Sequence, residues 1–351
     1  MQGGIFRSLF SLGGLATLFV LAALAWAAHW YLNPGPRGVD YERLLGAPGP
    51  TDPKMRRSDL ALHLVWTSDN STIISRQNNG NVVTWDLATG QAQAVARTQA
   101  VFEYCPEKSR LLISIENQVV LLGLDDGTSR KLYKGSQDHA AFSSDCSSVA
   151  MAKEDENLVR LWRGGDDWLD IETEQPVRNS LMLSRDGDFL ATAGGTYSDQ
   201  QGHDTVLEVF EIDQTGARRT ARVANPDEIL GMWSMAFTAD GKGLTIGSQT
   251  LGQSGLRHID SHSGEVLWGH DGFDSYWVRA LAASPNGILL ATGDEKGMLR
   301  VWDVSSGVMV SEFSAGQVIQ SLAFSHDGGK LAVGLWAGTI GIVNADALIV
   351  N

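Results

Sequence analysis

The chain has 351 residues, of which 43% are hydrophobic and 19% are charged, and its formal net charge is -14. Such an acidic chain lacks the basic face that neutralises phosphates, which argues against a nucleic-acid partner. Thirty-nine glycines beside eleven tryptophans favour an all-β fold with many turns and many large strand residues.

The first predicted element is a transmembrane helix. Residues 8–28 contain no charged side chain, and this length is enough for a helix to cross the hydrocarbon core. Trp26, Trp30 and Tyr31 would form an aromatic belt at one interface. We therefore expect residues 1–31 to be a signal anchor that contacts the membrane through residues 8–31. Because Ala25 and Ala27 have the small-residue spacing of a cleavage site, a removed signal peptide is the alternative.

The orientation of this helix is predicted from its position. A very short N-terminal tail is the usual layout of a signal anchor that exports the domain after it. The basic residues do not favour this orientation, since Arg7 stands alone before the helix and several basic residues follow it. We expect a single-pass membrane protein whose large domain lies on the extracytoplasmic (periplasmic) side.

A linker is predicted over residues 32–58. It contains five prolines and several glycines, a density that cannot continue a helix or join a central strand. Such a segment is extended and semi-stiff, and it would hold the domain a short way from the membrane.

Two landmarks then recur about every 40 residues. The first is a turn of the form Ser-x-Asp-Gly, in which Asp accepts local backbone hydrogen bonds and Gly adopts positive φ. Its seven copies, including three weaker ones, are 67–70, 105–108, 143–146, 184–187, 238–241, 284–287 and 325–328. The second landmark closes the third strand of each unit, as in Trp85-Asp86 and Trp302-Asp303. Two landmarks in the same order seven times predict seven repeats of one supersecondary unit.

Residues 288–303 show the repeat most clearly. Two apolar or alternating runs flank a turn, and the second run ends in Trp302-Asp303. This pattern resembles one blade of the WD40 family, and the resemblance implies a seven-bladed WD40-like β-propeller over residues 59–351. In that family a His, a Ser or Thr, a turn Asp and the Trp form a buried hydrogen-bond chain. The matching residues are His270, Thr292 and Trp302, while Glu295 and Lys296 occupy the turn, so the chain is identified as a divergent member.

The last blade is expected to be completed by the C-terminus. Residues 347–351 have the composition of a strand, whereas residues 54–58 do not. We therefore expect the outer strand of the seventh blade to come from residues 347–351.

A partner-binding site is predicted on one face of the propeller. Insertions at 194–204 and 248–255 extend the turn between the second and third strands of units four and five, and this turn shares a face with the links between blades. The candidate residues are Trp233, Phe273, Tyr276, Trp277, His203 and Asp204. Large aromatics are enriched at interface hot spots, although burial at strand starts is the alternative. A metal at His203 and Asp204 would need further ligands that the sequence does not place.

No catalytic, cofactor or metal constellation is present in the sequence, so we do not expect an enzyme. The favoured hypothesis is a membrane-tethered scaffold or accessory subunit that binds protein partners in a membrane complex. The alternative is an extracytoplasmic enzyme or small-molecule binder that uses the central channel. The two cysteines, Cys105 and Cys146, fall in first turns of adjacent units, where a disulfide is permitted if the strands crowd the axis.

Overall fold

The computed structural model describes residues 37–45, 61–198, 202–224, 231–250, 253–273, 275, 277–336 and 338–349. The chain divides into two compact units, residues 1–37 and residues 38–351. The predicted transmembrane helix at 1–31 and most of the predicted linker lie outside the described residues. Within the described ranges, no helix is long and apolar enough to cross a membrane.

The second unit is a seven-bladed β-propeller, as the repeats predicted. Seven antiparallel sheets follow one another along the chain, and each is built on four strands. The described chain begins with β1 (Arg37–Gly38) and β2 (Arg43–Leu45). Blade 1 contains β3 (Ala61–Trp66), β4 (Thr72–Gln77), β5 (Asn81–Asp86) and β6 (Ala92–Arg97). Blade 2 contains β7 (Phe102–Cys105), β8 (Arg110–Ile115), β9 (Gln118–Gly123) and β10 (Ser129–Lys134). Blade 3 contains β11 (His139–Phe142), β12 (Val149–Ala152), β13 (Leu158–Trp162) and β14 (Trp168–Glu172).

Blades 4 to 7 continue the series. Blade 4 contains β15 (Ser180–Leu183), β16 (Phe189–Ser198), β17 (Gly202–Asp213) and β18 (Gly216–Ala224), and blade 5 contains β19 (Gly231–Phe237), β20 (Gly243–Thr250), β21 (Gln253–Asp260) and β22 (Val266–Phe273). Blade 6 contains β23 (Val278–Ala283), β24 (Leu289–Asp294), β25 (Met298–Asp303) and β26 (Met309–Ser314). Blade 7 contains β27 (Ile319–Phe324), β28 (Lys330–Leu335) and β29 (Ile340–Asn344). Short 3-10 helices span Pro106–Lys108 and Ala345–Leu348.

The core lies between the blades. The second strand of each blade is covered on both faces by its neighbours, and in β24 every residue is buried. The first strands alternate between buried and partly buried residues, as β23 shows. In β23, Ala280 and Ala282 pack toward blade 7, whereas Leu281 and Ala283 pack toward blade 5. Apolar side chains of blades 6 and 7, for example Val301, Ile319 and Leu331, therefore form one continuous cluster.

The Ser-x-Asp-Gly turns have the structure that their composition predicts. In six blades the Ser or Thr hydroxyl donates to the Asp or Asn side chain two residues later. These pairs are Thr67–Asp69, Ser143–Asp145, Ser184–Asp186, Thr238–Asp240, Ser284–Asn286 and Ser325–Asp327, at 2.6 to 2.7 Å. The fourth residue has positive φ even where it is not glycine, as at Asn70 (56°) and Cys146 (57°). Hydrogen bonds from Thr67 and Ser71 lower the pKa of Asp69 to about 2.

The prediction for closure of the last blade was wrong. The outer strand of blade 7 is β2, which pairs with β29 through Arg43–Ile342, Leu44–Gly341 and Leu45–Ile340. Leu45 is buried, and the Tyr41 ring covers Gly341, which leaves no space for a larger residue there. The C-terminal residues form the 3-10 helix Ala345–Leu348, so residues 43–45 of the predicted linker range complete the ring.

The Trp302 blade keeps most of the expected hydrogen-bond chain with two changes. Trp302 is 2% exposed, and its Nε1 donates to Thr292 Oγ1 at 3.1 Å. The His270 ring lies tilted against the Trp302 ring, with the ring centroids 4.8 Å apart, and its Nε2 is 2.7 Å from the Gly307 carbonyl oxygen. The turn acid is Asp294, one residue before the expected place, and it accepts the backbone N–H groups of Lys296 and Met298.

Candidate functional site

A central channel runs between the seven first strands and has two different ends. We call the end bearing the turns between first and second strands the turn face, and the opposite end the link face. At the turn face the channel widens into a cavity of about 590 Å³, to which all seven blades contribute residues. The predicted partner site lies on the link face, so the two candidate regions are separate.

The link face carries the two insertions of blades 4 and 5. They are not irregular loops: β16 and β17 stay paired as far as Ser198 and Gly202, and β20 and β21 as far as Thr250 and Gln253. In blade 1 the equivalent pairing ends at Arg76 and Val82. Blades 4 and 5 therefore extend two neighbouring hairpins at this end of the propeller.

Only part of the predicted aromatic site has described side chains. Phe273 packs in the core between blades 5 and 6, with its ring 5.7 Å from that of Trp302 and the Arg300 guanidinium 4.8 Å from its centroid. Trp277 is partly buried, and the Arg279 guanidinium lies 4.5 Å from its ring centroid. Phe273 is thus mainly a packing residue, while Trp277 lies beside the channel strand of blade 6.

The other four candidates are less fully described. His203 and Asp204 lie in β17, where they pair with Tyr197 and Thr196 of β16. Trp233 lies in β19 at a register shift between Met232 and Ser234. The side chains of these three residues, and all of Tyr276, lie outside what the structure describes.

Polar side chains gather in the channel near the link face. In blades 6 and 7 the first strand has a register shift at Arg279 and at Gln320, and such irregularities redirect side chains. Arg279 Nε and Gln320 Nε2 are buried without a hydrogen-bond partner among the described residues. Desolvation in the channel, then the charges of Arg76 and His139, lower the pKa of His63 to about 4.

The turn-face cavity has apolar walls and one deep acid. The residue two positions before each first turn is Val65, Glu103, Ala141, Met182, Ala236, Ala282 or Ala323. Six of these seven line the cavity. Burial raises the pKa of Glu103 to about 8. Sequence reasoning missed this acid because blade 2 has the weakest turn landmark, although the contrast among the seven positions is visible in the sequence.

Cys105 and Cys146 are joined by a disulfide at the turn face, with their Cα atoms 5.8 Å apart. Cys105 replaces the turn hydroxyl of blade 2, and Cys146 occupies the positive-φ position of the turn in blade 3. The bridge therefore connects the first turns of two adjacent blades beside the cavity.

Two histidines at the end of the third strand of blade 5, His258 and His262, have structural contacts. His258 is buried, with Nδ1 2.8 Å from Thr245 Oγ1 and its ring stacked on Trp268. His262 lies 3.4 Å from Glu211 at the surface. Within the described part of the chain, no group of three or more His, Cys, Asp or Glu residues could hold a metal ion.

Comparison with known families adds the deciding observation for the fold family. Residues 262–303, which run from the end of blade 5 through the third strand of blade 6, match the model of the WD domain, G-beta repeat. The chain therefore contains a WD40 repeat within its seven-bladed propeller. The other blades depart further from the family pattern, because the first turn is weaker in blades 1 to 3 and only blade 1 repeats the Trp-Asp ending of the third strand.

The relatives of this chain are similar over limited regions. Small ribosomal subunit protein RACK1y of Oryza sativa subsp. japonica is 42% identical over 59 residues, which is 17% of this chain and 16% of that protein. The chain thus spans about a sixth of the length of the first such relatives. The guanine nucleotide-binding protein subunit beta-like protein of Encephalitozoon cuniculi is 23% identical over 242 residues, covering 66% of this chain and 68% of that protein.

Solved structures show the same architecture. A chain of the mitotic checkpoint complex superposes with a TM-score of 0.68 at 16% identity, covering 89% of this chain and 97% of that one. A chain of Kuenenia stuttgartiensis hydrazine synthase gives a TM-score of 0.65 at 16% identity, covering 85% and 99%. At this identity the similarity shows the fold alone.

Proposed function

We propose that this propeller is a membrane-tethered interaction module whose link face binds a protein partner within a membrane complex. The observation that carries the proposal is the pair of extended hairpins in blades 4 and 5. WD40 propellers typically bind protein partners, and insertions in repeat proteins collect on binding faces because the blades behind them supply the core. In this proposal the chain has no catalytic role.

The tether and its orientation are part of the same proposal. Residues 8–31 cross the membrane once, and the propeller lies on the extracytoplasmic side. The Cys105–Cys146 disulfide supports this location, because disulfides persist in oxidising compartments and are rare in the cytosol. Protease added outside intact cells or spheroplasts should digest the propeller, and intact mass should include residues 1–27. A mature protein that starts at Ala28, or full protection from protease, would overturn this part.

The partner site is tested by shortening the hairpins. A variant that lacks residues 197–203 and 249–254, each joined by Asn-Gly, removes both extensions while leaving the blade cores intact. A matched control alters the opposite end of the propeller, for example Arg185→Ala, which lies at the turn-face cavity. Tagged full-length forms are extracted in mild detergent, and copurifying proteins are quantified by mass spectrometry.

The two variants separate a local site from general damage. We expect the hairpin variant to lose specific partners with little change in melting temperature, while the control retains them. Retention of all partners by the hairpin variant would place the site elsewhere. Loss in the turn-face control, but not in the hairpin variant, would assign binding to the other end of the channel.

A further inference from the structure

The turn-face cavity is an open-mouthed pocket at the end of the channel. It measures about 590 Å³, a size typical of sites for small organic ligands. Apolar side chains of the first strands, including Val65, Met182 and Leu281, contribute to its wall. A pocket of this composition binds an apolar group, and its few polar groups determine which ligand it accepts.

Glu103 is the polar group that faces this apolar wall. It is partly buried in β7, and its carboxyl group forms no hydrogen bond or ion pair with the described residues. By contrast, the surface acids of the turns accept several hydrogen bonds each, as Asp69 does. A desolvated carboxyl without a protein partner is costly in the empty pocket, and a ligand that supplies a cationic donor would offset this cost.

We propose that the channel at the turn face binds an organic cation, an ammonium group on an apolar stem, with Glu103 as the counter-ion. The stem lies along the apolar ring, and the ammonium donates to the Glu103 carboxylate. This inference is independent of the proposed partner site, because it concerns the opposite end of the channel. The shared chemistry is met by a free alkylamine and by a lysine side chain of a protein segment.

The charge of the pocket is compatible with such a ligand. The other titratable groups on the cavity wall are Tyr104, Glu107, Arg185 and His326. His326 is held by the Trp66 carbonyl at 3.1 Å and lies with Glu107 and Arg185 at the rim formed by the turns. Among the lining residues, Glu103 is the only acid that lies in a first strand, so it is the counter-ion for a group that enters deeply.

Matched ligands test the proposal directly. Butylammonium, butan-1-ol and butyrate share one stem and differ in charge, and their binding to the purified full-length chain is measured by calorimetry. We expect butylammonium to bind about ten- to a hundredfold more tightly than butan-1-ol, the range for a hydrogen bond to a charged group. Butyrate should bind most weakly. Equal affinities for the amine and the alcohol would overturn the proposal.

Two conservative variants locate the counter-ion. Glu103→Gln should abolish the preference for the amine, whereas Glu107→Gln, which alters an exposed acid at the rim of the same cavity, should keep it. A preference that survives Glu103→Gln would overturn the assignment. Melting curves of both variants show whether they are folded.

A measurement on the unaltered protein covers the case in which Glu103→Gln does not fold. Because the pKa of Glu103 is raised to about 8, bound amine must displace a proton at neutral pH, so affinity should rise between pH 6 and 8 with proton release to the buffer. The same measurement in His326→Gln controls for the histidine at the rim of the cavity. An affinity independent of pH would contradict the proposal.

The two sources of the cation are separated with a peptide. Gly-Gly-Lys-Gly-Gly, acetylated at its N-terminus and amidated at its C-terminus, presents the same four-carbon stem on a backbone, and its acetyl-lysine form removes the remaining charge. Tighter binding of the peptide than of butylammonium assigns the pocket to a protein segment, and the reverse order assigns it to a free amine. Equal binding of the peptide and its acetylated form would count against both.

Discussion

Blades 6 and 2 have the same four-stranded geometry but are held by different chemistry. In blade 6 the Ser284 hydroxyl bonds Asn286 in the first turn, and Trp302 bonds Thr292 in the core. In blade 2 a 3-10 turn replaces the hydrogen-bonded turn, and Cys105 is linked to blade 3. The recurrent hydrogen bonds are therefore one way to hold a blade, and a covalent link between neighbours is another. Blade 2, which lacks these recurrent hydrogen bonds, also carries Glu103, the acid at the turn-face cavity.

The largest expected effect is a loss of stability from a substitution at the centre of blade 6. Trp302 is 2% exposed and contacts His270 and Phe273, so Trp302→Ala leaves a large cavity and removes the donor to Thr292 Oγ1. We expect a loss of about 3–5 kcal/mol in the free energy of unfolding, measured in urea. Trp168→Ala, at a tryptophan that is 37% exposed, is the control and should cost far less. Equal losses in the two variants would show that Trp302 is not a core residue.

The next effect tests the covalent link of blade 2. The disulfide closes a segment of 41 residues, and removing it should cost about 2–4 kcal/mol, chiefly by restoring entropy to the unfolded chain. The double variant Cys105→Ser, Cys146→Gly keeps a residue suited to positive φ at position 146. Replacing Cys146 by Ala instead adds backbone strain, so the difference between the two double variants measures the turn separately. No change in stability under reducing conditions would contradict a structural role of the bridge.

Sequence periodicity was sufficient to predict the number of blades, because turns and strand ends recur even where single residues differ. It failed at closure, since Arg43–Leu45 is a three-residue strand between proline-rich segments and only Leu45 enters the core. It also placed the turn acid of blade 6 at 295–296 instead of Asp294. The closure error arises because β2 pairs with β29, about 300 residues away, and a local pattern does not identify so distant a partner.

The candidate sites show the same limit. The two insertions identified the extended hairpins of blades 4 and 5, but the sequence could not tell exposed aromatics from packed ones, and Phe273 lies largely in the core between blades. Glu103 was missed because its role depends on six other blades that supply apolar neighbours. A comparison of equivalent positions around the ring would have identified it.

The channel acid of blade 2 should make stability depend on pH. The pKa of Glu103 is raised to about 8 in the folded chain, whereas a free group has a pKa of 4.5. Between these two pH values the unfolded chain therefore binds fewer protons than the folded chain. Stability contributed by the protonated acid is present below about pH 4.5 and is lost as the pH rises toward 8, by at most about 1.4 kcal/mol per pH unit. Glu103→Gln should flatten this slope in urea titrations at pH 5 to 8, while Glu107→Gln should not. A slope unchanged in Glu103→Gln would assign it to other groups.

The smallest expected effect concerns backbone strain in the first turns of blades 2 and 6. Ser109 has φ of 46° beside the 3-10 turn of blade 2, whereas blade 6 uses Gly287 with φ of 73°. A residue with a Cβ is strained in this region, and glycine is not, although glycine has more entropy to lose on folding. Ser109→Gly should therefore stabilise the chain by about 0.5 kcal/mol, less any contribution from its 3.4 Å hydrogen bond with Tyr104.

Gly287→Ala is the opposite change. A Cβ at position 287 would lie 3.5 Å from that of Ala239, an ordinary contact, so its cost of about 1 kcal/mol comes from the backbone alone. Melting temperatures of the two variants should shift in opposite directions. A shift in the same direction would mean that the turn of blade 2 is not the strained counterpart of the glycine turn, and that the disulfide alone accounts for how that blade is held.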